Sequence, residues 1–187
     1  MSKRTPALEA EDPCSQVVCK AAREGQPREL EALLAAERIS LSTVRSKEGL
    51  SPLMLACMAD GHDPIRRKTD TSESHRHRVT QILLEHGADV NYTAPGGWSA
   101  LLFASFYAQQ KIVHSLLNAR ADVNHKDEAG RSADMWVRYG DGDRHSQSQI
   151  LRALAKHGNT SHQLQAPACE FFAPIMLNSH ARSLLQK

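Results

Sequence analysis

The chain has 187 residues, of which 41% are hydrophobic and 24% are charged, and this is the composition of an ordinary globular domain. Its formal net charge of +2 is too small to indicate a nucleic-acid partner, and no stretch approaches the roughly 20 apolar residues of a membrane span. Met1-Ser2-Lys3-Arg4 precedes no apolar run, so we expect no secretory signal and a cytoplasmic or nuclear location with reduced thiols.

The N-terminal part predicts a tail followed by a first pair of helices. Residues 1–13 contain two prolines and several acidic side chains, which favours a mobile tail. The first helical unit is expected over residues 14–44. Ser15 is expected to cap its first helix and Gly25 to end it, and Pro27 suits the first turn of the second helix.

The second unit, residues 45–92, is longer than the unit that follows it. Ser51-Pro52-Leu53 predicts a helix start, with serine as N-cap and proline at the first helical position, and we expect this helix to run to about Asp60. Its partner helix is expected only from about Arg76. The excess length is a polar insertion at residues 62–78.

A repeat with one fixed period follows. Ala88-Asp89-Val90-Asn91 returns as Ala121-Asp122-Val123-Asn124, and Gly97-Trp98-Ser99-Ala100 returns as Gly130-Arg131-Ser132-Ala133, each 33 residues later. Two markers that share a period in the low thirties predict a helical solenoid. The last two units are residues 93–125 and 126–160.

Gly49-Leu50-Ser51-Pro52-Leu53, followed by Ala56 and by Gly87-Ala88-Asp89-Val90-Asn91, resembles the ankyrin repeat motif. The resemblance covers residues 14–160. It implies an all-α repeat solenoid, an ankyrin-type helix-turn-helix stack of about four repeats with short β-hairpin connectors. It also implies a non-enzymatic module that binds another protein through a concave face made of the inner helices and hairpin tips.

Several positions depart from the family's pattern. Met54 stands where the family has histidine, and Arg120 stands where the second repeat has Gly87, so a left-handed helix end would be strained there. Asp134 falls where a leucine is expected. Gly140-Asp141-Gly142-Asp143 then interrupts the fourth repeat, before a last apolar face formed by Ile150, Leu151, Leu154 and Ala155.

Six of the nine aromatic residues lie between positions 98 and 139, within the third and fourth repeats. Aromatic side chains dominate binding hot spots because they give a large contact area at a low rotamer cost. The sequence allows two interpretations: a partner-binding patch, or core residues that close the junction between these repeats. Phe103 and Phe106 share a helix face that points either to the core or to the groove. The partner-binding candidates are Trp98, Phe103, Phe106, Tyr107, Trp136 and Tyr139.

The insertion at residues 62–78 has a solvated interpretation and a functional one. Arg66-Arg67-Lys68-Thr69 resembles a site for a basophilic kinase, which makes Thr69, Thr71 and Ser72 candidate phosphorylation sites. His75 to Arg78 would instead extend the second helix by one turn, with Ser74 as its cap. A different class of function, binding of nucleic acid or acidic lipid, would use the basic residues Arg66, Arg67, Lys68, Arg76 and Arg78.

The remaining features favour a binding role over catalysis. Residues 161–187 predict a linker and a further helix at about 174–185, which would either cover the last repeat or bind a partner. His75 and His77 lack the further ligands of a zinc site, and no cofactor or metal is expected. We therefore expect an adaptor, an inhibitor or a targeting subunit. The alternative within the binding class is a substrate-recognition subunit of a ubiquitin ligase.

Overall fold

The computed structural model describes residues 13–36, 39–58, 70–140 and 142–158. In this part of the chain there are eight helices and no extended strand. Their bounds are α1 Pro13–Glu24, α2 Pro27–Ala36, α3 Pro52–Cys57, α4 Asp70–Glu85, α5 Ala100–Phe106, α6 Gln110–Asn118, α7 Ala133–Tyr139 and α8 Arg144–His157.

The helices pack in two layers of four. Helices α1, α3, α5 and α7 contact one another in chain order and form the first layer, and α2, α4, α6 and α8 form the second layer in the same way. Each first-layer helix also packs on the helix that follows it in the chain. The all-α solenoid of the ankyrin type is thereby confirmed.

One continuous core lies between the two layers. Its largest fully buried side chains come from every pair of helices, among them Leu30, Leu53, Leu83, Leu116 and Ile150. Leu83 and Leu116, which are 33 residues apart in the sequence, therefore occupy equivalent places in neighbouring pairs. The period that predicted the solenoid is the distance along the chain between successive core positions.

Local signals in the sequence place several helix ends correctly. Ser51 Oγ accepts a hydrogen bond from the Met54 amide at 3.3 Å, with Pro52 as the first helical residue. Ser99 Oγ accepts from the Leu102 amide in the same way. Gly25, with a φ of 69°, directly follows the last residue of α1, and Pro27 begins α2. These caps satisfy amides that would otherwise lack a partner.

Other boundaries were wrong. Helix α1 begins at Pro13, so Ser15 lies inside it, and α3 ends at Cys57 instead of Asp60. Helix α4 begins at Asp70, six residues before Arg76, so Ser74 is not its cap. In the fourth repeat Asp134 lies exposed in the first turn of α7, where a carboxylate favours the positive end of the helix dipole.

The last repeat follows the expected interruption. Gly140 ends α7, and Asp143 caps α8 by accepting from the His145 and Ser146 amides at 3.0 Å each. In α8, Ile150 and Leu154 are buried as expected and Leu151 is partly buried. Ala153, not Ala155, completes the face. The expected helix at 174–185 lies outside the described residues.

The connectors between repeats are short hairpins. Single antiparallel bridges join Ala94 to Trp98 and Lys126 to Ser132. Asn91 links one connector to the next, because its Nδ2 donates to the Arg120 carbonyl at 3.2 Å and its Oδ1 accepts from the Asp122 amide at 2.8 Å. The asparagine of the repeated Ala-Asp-Val-Asn motif therefore holds neighbouring repeats together.

Two successive second-layer helices end in the same motif with different residues. Gly87 and Ala88 donate to the Leu84 and Leu83 carbonyls, and Arg120 and Ala121 donate to the Leu117 and Leu116 carbonyls. This is the Schellman arrangement, which requires a left-handed residue. Gly87 has a φ of 77° and Arg120 a φ of 64°, so the expected strain at Arg120 is present.

We predict that Arg120→Gly stabilises the fold. A left-handed conformation costs an L-residue about 1–2 kcal/mol, and the larger unfolded-state entropy of glycine offsets about 0.4–1 kcal/mol. The free energy of unfolding should therefore rise by about 0.5–1 kcal/mol, measured from urea unfolding curves. The matched variant Gly87→Arg should lower it by a similar amount. An unchanged or lower midpoint for Arg120→Gly would contradict this account.

Candidate protein-interaction site

Trp98 is positioned by the connector that precedes α5. The Ala94 amide donates to the Trp98 carbonyl at 2.8 Å, which closes the hairpin. At the tip, Gly97 has a φ of 77°, and a Cβ there would lie 2.6 Å from the Glu128 amide nitrogen of the next connector. Glycine accommodates both the positive φ and the close approach of the next connector. The close approach of the two connectors places Trp98 between α5 and α7.

Helix α5 brings three further rings to the same place. Ser99, the N-cap of α5, directly follows Trp98. The helix carries Phe103 and Phe106 on one side, and Tyr107 is its C-cap. The rings of Trp98 and Phe103 are stacked, with centroids 4.8 Å apart and planes 18° apart. Phe106 and Tyr107 meet edge to face at 5.0 Å.

Helix α7 joins these rings into one network. Trp136 lies 4.9 Å from Trp98 and 5.7 Å from Phe106, centroid to centroid. Tyr139, one turn further along α7, lies 6.3 Å from Trp136. All six aromatic residues that the sequence predicted as a patch are therefore connected by ring contacts, and they come from both the third and the fourth repeats.

The structure corrects the place of Trp136 in this patch. Its side chain is 1% exposed, because α5 and the preceding connector cover it, so it is a core residue and not a contact surface. Tyr139 is 41% exposed, and the other four rings are partly buried. Phe103 and Phe106 thus each face the core on one side and solvent on the other. We call the five rings above Trp136 the aromatic surface: Trp98, Phe103, Phe106, Tyr107 and Tyr139.

Two residues that hold Trp136 were not identified from the sequence. The Arg131 guanidinium lies 4.2 Å from the centroid of the Trp136 ring, a cation–π contact, and its Nε donates to Asp127 Oδ2 at 2.7 Å. The Asp127 carboxylate is buried and also accepts from the Ala129 and Arg131 amides. Arg131 appeared only as part of a repeat marker, because nothing local shows which ring a connector residue will cover.

We predict that Trp136→Ala lowers the free energy of unfolding by about 3–5 kcal/mol, since it removes a large fully buried ring. Tyr139→Ala should cost less than about 1 kcal/mol, because that ring is exposed. Trp136→Phe should lie between the two, since the indole N–H makes no hydrogen bond with the described residues. Urea unfolding of the three variants measures this order. Equal losses for Trp136→Ala and Tyr139→Ala would contradict the placement of Trp136 in the core.

The predicted basic loop divides in the structure. Arg66, Arg67, Lys68 and Thr69 lie outside the described residues. Arg76 is buried, and its Nη1 donates to the carbonyls of Ala56 and Met58 at the end of α3. Arg78 is half exposed and pairs with Glu31 at 2.8 Å. Arg76 is therefore not available for phosphate, because it closes the end of α3, and its assignment to a basic binding loop was wrong.

The candidate phosphorylation sites Thr71 and Ser72 are helical. Because α4 begins at Asp70, both belong to its first turn and not to a loop. Phosphate at a helix N-terminus is compatible with the helix dipole. Their modification stays a prediction.

We predict that Arg76→Ala lowers the free energy of unfolding by about 2–3 kcal/mol, because two carbonyls lose a charged donor. The matched variant Arg78→Ala removes an exposed pair and should change stability by less than about 0.5 kcal/mol. Thermal and urea unfolding of both variants measure the difference. Similar small losses would contradict the stabilising role of Arg76 at the end of α3.

The potentially reactive side chains of Cys57 and His77 are buried or hydrogen-bonded within the fold. Complete burial raises the pKa of the Cys57 thiol to about 12, with Arg76 acting in the opposite direction, so this thiol is unreactive near neutral pH. His77 shares a hydrogen bond of 2.9 Å with Ser115 Oγ, and burial together with Lys111 lowers its pKa. Among the described residues, no three His, Cys, Asp or Glu side chains gather to hold a metal ion.

In the same part of the chain, none of the helices combines the length and apolar character needed to cross a membrane.

Comparisons with known proteins agree with the geometry. The family model for ankyrin repeats (three copies) matches residues 18–127, which is more than half of the chain. Mouse ankyrin repeat and SAM domain-containing protein 6 is 32% identical over 110 residues, 58% of this chain and 10% of that protein. Human neurogenic locus notch homolog protein 2 is 32% identical over 89 residues, 47% of this chain. Drosophila neurogenic locus Notch protein is 33% identical over 85 residues, 45% of this chain. The chain thus spans a tenth or less of each relative's length.

Proposed function

Because the chain belongs to the ankyrin-repeat family, whose repeats are generally non-enzymatic protein–protein interaction modules, we propose that it binds a partner protein through its first-layer face. The aromatic surface is the centre of that contact. In this role the chain is an adaptor, an inhibitor or a targeting subunit and carries out no catalysis. The much longer relatives share only the repeats with it, so their roles are not transferred.

The connected aromatic cluster is the observation that carries this proposal. Three of its rings, those of Trp98, Phe106 and Tyr139, contact the buried Trp136. Arg131, which is paired with Asp127, packs on the Trp136 ring, so these rings share one buried support. Rigid, partly exposed aromatic side chains lose little conformational entropy when a partner covers them. Tyr107 and Tyr139 stand at the outer edge of the cluster, where each combines an apolar ring with a polar tip, as interface hot spots do.

The alternative through the basic insertion has less support. Of its five basic residues, Arg76 is buried and Arg78 is paired, and Arg66, Arg67 and Lys68 lie outside the described residues. The ubiquitin-ligase alternative depends on residues 164–185, which also lie outside them. The aromatic surface is the better-supported candidate, since its five rings and Trp136 form one network of ring contacts.

We predict that Tyr107→Ala/Tyr139→Ala loses partner capture while its melting temperature falls by only a few degrees. The physical reason is that both rings lie at the edge of the cluster, so their removal takes away contact area without opening the core. The measurement is quantitative mass spectrometry of proteins captured from the native cell by the tagged full chain. Thermal unfolding of the variant is recorded in parallel.

The matched control is His114→Ala/Asn118→Ala, two exposed positions on α6 in the second layer. This variant should capture the same proteins as the unmodified chain. Equal capture by the tyrosine variant would contradict the proposed surface. Capture that disappears with added oligonucleotide or moderate salt would favour the nucleic-acid alternative.

A further inference from the structure

A cavity opens at the other end of the first layer, between α1 and the connector that precedes α3. Its volume is about 290 Å³, and its lining is mostly charged. Four lining residues are basic and two are acidic: Lys20, Arg23, Arg45, Lys47, Glu24 and Glu48. This cluster is not visible in the sequence, because its members come from two separate stretches that only the fold brings together.

Of the two carboxylates of the cavity, Glu48 has a cationic partner and Glu24 has a neutral one. Glu48 Oε2 lies 3.7 Å from Arg23 Nη2, and Glu24 Oε2 accepts from Gln26 Nε2 at 2.9 Å. Lys20 and Lys47 are exposed, and neither forms a hydrogen bond or ion pair with another described residue. Since the partner of Glu24 is a neutral amide, its charge still offsets one cation, and the four basic and two acidic residues leave the cavity with a net charge of +2.

Arg45 is the third basic residue of the cavity that pairs with no carboxylate among the described residues. Its Nη1 donates to the Val44 carbonyl at 2.6 Å, and its guanidinium lies 3.8 Å from the centroid of the Tyr92 ring. Tyr92 is fixed in turn, because its hydroxyl donates to the Gly49 carbonyl at 2.9 Å. These neutral partners hold the side chain in place and leave its full charge at the rim. An anionic group is the chemistry that complements this arrangement.

The distance between the cavity and the aromatic surface limits the occupant. Helices α1, α3, α5 and α7 are neighbours in one layer, so two steps of about 8–10 Å separate α1 from α5, and three steps separate it from α7. An extended chain advances about 3.3 Å per residue, so about five to nine residues would span these roughly 16–30 Å. One extended peptide segment can therefore reach both places.

We propose that the cavity binds Asp or Glu side chains of the same partner segment whose apolar or aromatic side chains cover the aromatic surface. This inference rests on the proposed function and specifies the chemistry of the partner. The acidic end of the segment approaches Lys20, Lys47 and Arg45, while the apolar end packs on the rings of the third and fourth repeats. The charges at the cavity set the register and the rate of encounter, and the rings supply most of the affinity.

The test is a selection of random twelve-residue peptides, displayed on phage, against the full chain. The expected binders carry Asp or Glu about five to nine positions from an aromatic or aliphatic residue. A synthetic peptide of this kind should bind Lys20→Glu/Lys47→Glu at least about tenfold more weakly than the unmodified chain. Replacement of its acidic residues by amides should cause a similar loss. Its affinity for the unmodified chain should fall as salt is raised.

The matched control is Lys111→Glu/Lys156→Glu, which makes the same change in net charge on exposed positions of the second layer and should bind as the unmodified chain does. Binders without acidic residues that respond to Tyr107→Ala/Tyr139→Ala but not to the cavity variant would overturn this inference and leave the proposed function standing. A selection without binders would count against both. A further outcome is that the cavity variant loses binding of a random oligonucleotide and of acidic vesicles to the same extent as it loses binding of the peptide. That result would show a general polyanion site and would also overturn this inference.

Discussion

Each helical pair of this chain has apolar side chains that only the neighbouring pair can cover. Leu53, Leu83 and Leu116 come from successive pairs, and all are completely buried in one continuous core. A pair taken alone would leave these residues in water, at a cost of about 1.5–3 kcal/mol for each side chain. The order of the layers, the close approach of the connectors and the position of every surface residue follow from this requirement.

The sequence is informative where the cause of a structure is local. The caps at Ser51 and Ser99 and the period that relates Leu83 to Leu116 depend on residues a few positions apart or on repetition, so they were predicted correctly. The start of α4 was missed because its first turns are polar. Its position is fixed from outside the helix, where Arg76 bonds to the end of α3.

Tertiary packing also determines which aromatic and basic residues are buried and which are exposed. Helix α7 has seven residues, so periodicity places Trp136 and Tyr139 on one face but does not say which of them is covered. The number of arginines was equally ambiguous as a guide to exposed positive charge. Inside the fold, Arg76 donates to carbonyls and Arg131 packs on a ring, and Arg45 packs on a ring at the cavity rim. The positive charge available to a partner was therefore overestimated at Arg76 and overlooked at Lys20 and Lys47.

At Gly140 the fourth repeat packs directly against the backbone of the third repeat. A Cβ at this position would collide with the Phe106 carbonyl oxygen, so the end of α7 rests directly on the backbone at the end of α5. The rings above this junction come from both helices and share one support. If α7 and α8 separate from α5 and α6 by local unfolding, Trp98 and Phe106 lose the indole beneath them. Occupancy of that face by another molecule would then suppress this local unfolding, so binding and local folding would be thermodynamically linked.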